Sequence, residues 1–127
     1  MPSKIREYGR ANLSSIDNNS VLFNGVGIGS DVWMSHGDVV ENLPEGFVVN
    51  GTSNNSPAAA MANDETCFYG LQFHPEVTHT NKGQVIIENF VHSICECGKD
   101  WTPGNIIEKD INNIRKEVGD DQVLLGL

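Results

Sequence analysis

A histidine and a glutamate two residues apart, separated by a proline, are the part of this sequence best suited to chemistry. They lie in Gln72-Phe73-His74-Pro75-Glu76-Val77-Thr78-His79-Thr80. In an extended chain, side chains at i and i+2 leave the same face, with α-carbons roughly 6.5–7 Å apart. Pro75 fixes its own φ and biases His74 toward extended backbone. The tripeptide is therefore a stiff bracket that sets a carboxylate beside an imidazole. Such a carboxylate accepts the imidazole N–H, fixes the tautomer and stabilises the imidazolium. This suits His74 to general acid–base work with Glu76 orienting it. Two other readings stay open. His74, Glu76 and His79 are all metal-ligand types, but their spacing matches neither a helical His-Glu-x-x-His motif nor a zinc ribbon. The plainest alternative is a histidine at a strand end with a satisfied hydrogen bond.

A base of this kind needs a nucleophile, and a cysteine thiolate is the obvious partner. A reactive cysteine wants a strained turn at a helix start with glycines two residues to either side. Glu65 and Tyr69 flank Cys67, Ser93 and Cys97 flank Cys95, and Cys95 and Lys99 flank Cys97. None fits. Cys67 is expected in the core of a strand, and Cys95 and Cys97 at the end of a helix. Cys95 and Cys97 form one pair with no second pair, which argues against zinc.

The elements that must carry the bracket follow from patterning. Residues 5–13 are expected to be extended, and residues 14–20, which are polar, to form a turn. Val21, Leu22 and Phe23 form a short strand or a buried helical turn. Gly25, Gly27 and Gly29 alternate with Val26 and Ile28. With no helical period after them they are expected to be a loop and not a phosphate cradle. Val32-Trp33-Met34 is a short strand ending in Ser35-His36-Gly37-Asp38. Phe47-Val48-Val49 and residues 67–73 are β-rich, with turn-like polar residues at 50–57 and 63–66. These short strands make an antiparallel or mixed sheet. The period then becomes helical, with Val85, Ile86, Ile87, Phe90, Val91, Ile94 and Cys95 near one face and Gly98 as the end. A second amphipathic helix starts with Thr102 as cap and Pro103 at its first position. Ile107, Ile111, Ile114 and Val118 form its stripe and Gly119 its stop. The apolar run at residues 122–127 is expected to be a strand buried on both faces of a sheet.

Composition removes several function classes. The chain has 127 residues and a net charge of −9, so its bulk field repels phosphate backbones and disfavours a nucleic-acid binder. The longest apolar run, residues 58–62, is far short of the ~20 residues of a membrane span. The first residues lack the apolar centre of a secretory signal. Three cysteines without such a signal argue for a reducing, cytoplasmic compartment.

Two segments together, Phe73-His74-Pro75-Glu76-Val77-Thr78-His79-Thr80 and Val32-Trp33-Met34-Ser35-His36-Gly37-Asp38, resemble the glutamine-hydrolysing GMP synthases. Arg6-Glu7-Tyr8-Gly9, Asn89-Phe90-Val91, Ile94-Cys95, Cys97 and Trp101 fit as well. His-Pro-Glu alone marks class I glutamine amidotransferases, and the added residues narrow the likeness, which covers residues 5–127. The resemblance implies an α/β fold. Residues 1–98 would be the C-terminal part of an amidotransferase domain, a mixed sheet with flanking helices. Residues 99–103 would be a linker, and residues 104–127 the first helix and strand of an ATP pyrophosphatase domain.

The resemblance also implies a Cys-His-Glu triad with His74 and Glu76 as its second and third members. Main-chain groups at Ser35, His36 and Gly37 would help to bind glutamine. No metal or cofactor is expected on this chain. The complete enzyme would use ATP and Mg2+ with glutamine and XMP as small-molecule substrates, needs neither nucleic acid nor membrane, and is compatible with a homodimer. The family's nucleophilic cysteine precedes these motifs and its ATP loop follows them. The expectation is therefore a fragment, inactive alone and poorly soluble unless another chain covers its edges. The alternative is a non-catalytic binding module derived from an amidotransferase.

Overall fold

The computed structural model describes residues 2–100, 102–124 and 126, with side chains from residue 6 onward. Its chain divides into two compact units, residues 1–97 and residues 98–127. The first unit is a curled antiparallel sheet with little helix. Its strands are β1 (Pro2–Ile16), β2 (Asp31–Asp38), β3 (Val48–Ser53), β4 (Ala60–Asn63) and β5 (Phe68–Leu71), in the spatial order β2-β1-β3-β4-β5. A 3-10 turn, Val21–Phe23, follows β1, and a short helix α1 (Gly83–Glu88) continues into a wide π turn, Asn89–Ile94.

Among the described residues every strand pairing is antiparallel, which corrects the expected mixed sheet. The β3–β4 and β4–β5 connections, residues 54–59 and 64–67, are too short for the crossover of a dozen or more residues that a parallel pairing needs. β1 is long enough to serve two partners. Glu7 to Asn12 pair with β2, while Leu13, Ser15 and Ile16 pair with β3. Of the residues expected to be a turn after Leu13, 14–16 are thus strand, and the turn is confined to 17–20. The strand hydroxyls are used across the sheet, Ser14 Oγ and Ser15 Oγ each lying 2.9 Å from Thr52 Oγ1. β3 likewise runs through Asn50 and Ser53, where a turn was expected.

Alternation along the strands fills the sheet's interior. Val32, Met34 and His36 on β2 are buried while their neighbours are less so. Val32 and Met34 join Leu13, Leu22, Phe23, Ala59, Ala60, Phe73 and Ile86 in one core, whose apolar burial is the main stabilising term. The sheet curls far enough that Phe73, beyond β5, bridges Met34 on β2, the strand at the other end of the order. That closure brings the His-Pro-Glu bracket to β2.

Three further expectations change. Cys67 is not in a strand core. It is exposed, in the β4–β5 turn, with φ of 55°, a left-handed conformation that costs a non-glycine residue free energy. The first helix ends at Ile94, not Gly98. Glu96 takes φ of 53° just past it, and the Cys97 N–H donates to the Val91 carbonyl, which closes the helix end. In the second unit, α2 (Pro103–Val118) starts as expected, with Thr102 Oγ1 accepting from the Asn105 N–H and Pro103 at the first position. The strand expected after it is not formed at the described residues. Val123 and Leu124 are irregular and exposed, and Leu125 and Leu127 lie outside the described residues. Such a strand needs ladder partners on its edges, and none is present among the described residues.

Candidate functional site

The bracket takes its geometry from three supports. On β2, the Trp33 carbonyl accepts from the His74 N–H at 2.9 Å, so the main chain at His74 extends the sheet. From beyond the bracket, Thr80 returns a buried hydroxyl that donates to the His74 carbonyl at 2.6 Å and accepts from the Trp33 N–H at 3.1 Å. One hydroxyl therefore clamps the histidine's main chain to β2. Beneath them, α1 begins at Gly83 in direct contact with Pro75. A Cβ at that position would fall 1.8 Å from the Pro75 carbonyl oxygen. Only glycine lets the helix approach so closely.

On this frame His74 Nδ1 lies 2.8 Å from Glu76 Oε1. The two side chains face each other as the i, i+2 spacing predicts. They remain open to solvent, 44% and 59% exposed. The Glu76 carboxyl is held below its ordinary pKa, first by its own backbone N–H and then by the hydrogen bond from His74. An ionised carboxylate only accepts, so His74 Nδ1 carries the hydrogen and donates it. Nε2 is then the ring atom left to take or give a proton. Beside Glu76 is an open cavity of about 480 Å³ lined by Val77, Thr78, Asn81, Gln84 and Ile87, among others.

The other candidates fall in different places. Ser35 is exposed, Gly37 half-buried and His36 buried, all on β2 beyond Met34. Trp33, two residues before Ser35, bonds His74, so this stretch begins about 7 Å along the strand from the bracket. His79 does not join His74 and Glu76. Its ring stacks on Trp33 with centroids 4.4 Å apart. No group of three His, Cys, Asp or Glu side chains converges as a cation site among the described residues. None of the three cysteines lines the cavity beside Glu76. The roles of Thr80 and Gly83 were not assigned from sequence. Thr80 stood out only as part of the motif.

A fold of this kind, with an acid-braced histidine on a strand end, has a counterpart among known proteins. The family model for class I glutamine amidotransferases matches residues 2–94, and the chain belongs to that family. Its similar curated relatives include glutamine-hydrolysing GMP synthases. That of Mannheimia succiniciproducens is 50% identical over 133 residues, covering 99% of this chain and 25% of the relative. That of Actinobacillus succinogenes is 58% identical over 97 residues, or 76% of this chain and 18% of the relative. A solved structure from Thermoplasma acidophilum, of a protein assigned as one subunit of a GMP synthase, superposes with a TM-score of 0.69. It is 27% identical and covers 89% of this chain and 51% of that one. The chain spans about a quarter of the length of the curated relatives it matches. No described helix is long and apolar enough to cross a membrane.

Proposed function

We propose that this chain supplies the histidine and glutamate of a glutaminase site that serves GMP synthesis in the cytoplasm. The observation that carries the reading is the 2.8 Å contact between His74 Nδ1 and Glu76 Oε1 at an accessible strand end. A thiolate attacks the side-chain amide of glutamine. His74, through Nε2, protonates the departing ammonia, leaving a γ-glutamyl thioester, and then draws a proton from water as that water releases glutamate. Glu76 holds the ring in the Nδ1–H tautomer and stabilises its protonated form. Main-chain groups at Ser35, His36 and Gly37 receive the substrate. The thiolate comes from another segment, because Cys67, Cys95 and Cys97 sit in a hairpin turn and past a helix end, away from the cavity.

In the complete enzyme the ammonia would meet XMP activated by ATP and Mg2+. Residues 104–127 would begin the ATP pyrophosphatase domain that performs this step. Nucleotide and metal are assigned to that domain and not to the bracket, where no third ligand converges among the described residues. Loss of the thiolate would instead leave a binding module derived from an amidotransferase.

The test supplies the thiolate. The segment preceding the matched region of the Mannheimia succiniciproducens relative is co-expressed with this chain, and glutamate release is measured. Activity is expected in the assembly and not in this chain alone. His74→Ala is expected to lower it by about 10²–10⁴-fold, the usual worth of a general acid–base. A soluble assembly with no activity, or activity indifferent to His74→Ala, would overturn the reading.

A further inference from the structure

The sheet carries a second histidine–glutamate pair, which the glutaminase steps leave unused. Glu7 on β1 and His36 on β2 are register partners. Their side chains are only 10% and 7% exposed, and Glu7 Oε2 lies 3.1 Å from His36 Nε2. Asn55, from the β3–β4 connection, donates to Glu7 Oε1 at 3.0 Å. His36 Nδ1 lies 2.9 Å from the Asp38 carbonyl oxygen. A carbonyl oxygen only accepts, so Nδ1 carries hydrogen. Nε2 then lies 3.1 Å from a carboxylate oxygen without the alignment of a hydrogen bond, and neither atom has a hydrogen-bond partner. A neutral ring would leave both buried atoms unpaired, an arrangement that is costly and unrelieved by solvent. A proton on Nε2 turns the contact into a charge-assisted one.

We propose that Glu7 is a positioning residue. Its carboxylate forms a buried ion pair with a doubly protonated His36 ring, and the pair fixes the main chain at residues 35–37 from the interior of the sheet. Its significance for glutamine rests on the function proposed above. Ser35 faces outward while His36 is held inward, so one buried contact sets the stretch of β2 offered to substrate. The polar and charged groups beside that stretch are Tyr8 and Arg6, whose side chains flank Gly37, and Asn55 on Glu7 itself.

The experiment uses this chain with 15N-labelled histidine at neutral pH, His36 being assigned through a His36→Asn variant. Both His36 ring nitrogens are expected in the protonated range. In Glu7→Gln the ring is expected to become neutral with hydrogen on Nδ1 alone, since an amide can donate to Nε2. Amide exchange at residues 36 and 37 is expected to quicken about tenfold. A neutral ring in the unaltered chain, a ring unchanged by Glu7→Gln, or unaltered exchange would overturn the proposal. Should Glu7→Gln fail to fold, Asn55→Ala releases the carboxylate while keeping its charge. The ring then stays doubly protonated and exchange at residues 36 and 37 quickens, or the proposal fails. None of these readings needs glutaminase activity. An inactive assembly would therefore sink the function proposed above and leave this pair to be judged by its own spectra.

Discussion

Two histidine–glutamate pairs stand on one curled sheet, and their surroundings are opposite. His74 and Glu76 are neighbours in sequence, bonded at 2.8 Å and about half exposed. Glu7 and His36 come from different strands, approach to 3.1 Å and are nearly sealed from solvent. The exposed pair can exchange protons with a substrate, but water screens it, so it adds little to folding. The buried pair is screened far less, so its effect on structure is the larger. In the roles proposed above the same two residue types would serve chemistry at one place and scaffolding at the other, with burial making the difference.

The comparison is broken most directly by deleting one acid at a time. Glu7→Ala leaves the buried His36 ring without its counter-group and is expected to cost about 3–5 kcal/mol, the usual penalty for removing one partner of a buried pair. Glu76→Ala is expected to leave stability within error of the unaltered chain. Urea denaturation of both variants measures the contrast. Equal losses would mean that burial does not separate the two pairs.

Gly83→Ala comes next in size. The exposed pair does not hold its own geometry. It rests on Pro75, and Pro75 rests on the first turn of α1 with no room for a methyl group. A substitution that places carbon 1.8 Å from the Pro75 carbonyl oxygen must push the bracket away from the helix. The expected cost is about 3 kcal/mol, at the upper end of typical overpacking. The shift should also disturb the His74 ring signals while sparing those of His36. If both rings move together, the two sites are not independently supported.

How far sequence led to this picture depends on distance along the chain. The His74–Glu76 contact was legible because proline and strand geometry fix it within three residues. The strand carrying Val32 and Met34 was legible from its apolar alternation, and α2 from its cap and proline. The buried pair was not legible. Glu7 sits among charged residues at a strand start, and only the pairing of β1 with β2 turns it inward toward His36. Polar strand residues misled for the same reason. Ser14, Ser15 and Thr52 look like turn residues until the sheet sets their hydroxyls against one another. Cys67 looked like a core residue because Phe68 and Tyr69 follow it, but the hairpin needs a left-handed residue there. Thr80 gave no signal of its own, since its two bonds go to main-chain groups of distant elements.

The smallest effect is the acid response of the exposed pair. The Glu76 carboxyl has its pKa lowered from 4.5 in the folded chain, by its own backbone N–H and by His74. A lowered folded value means that the unfolded chain binds the proton more readily. The group's stabilising contribution is therefore fully present above pH 4.5 and is lost as pH falls through the lowered value. Solvent screening keeps that contribution small. The 13C titration of the Glu76 side chain should accordingly have its midpoint below 4.5, with the His74 Nδ1–H bond intact from neutrality down to that midpoint. A midpoint at or above 4.5 would mean that neither the bond from the Glu76 N–H nor the bond from His74 is maintained in solution. The bracket would then be only a spacing, and the proton transfer proposed for Nε2 would lose the partner that orients it.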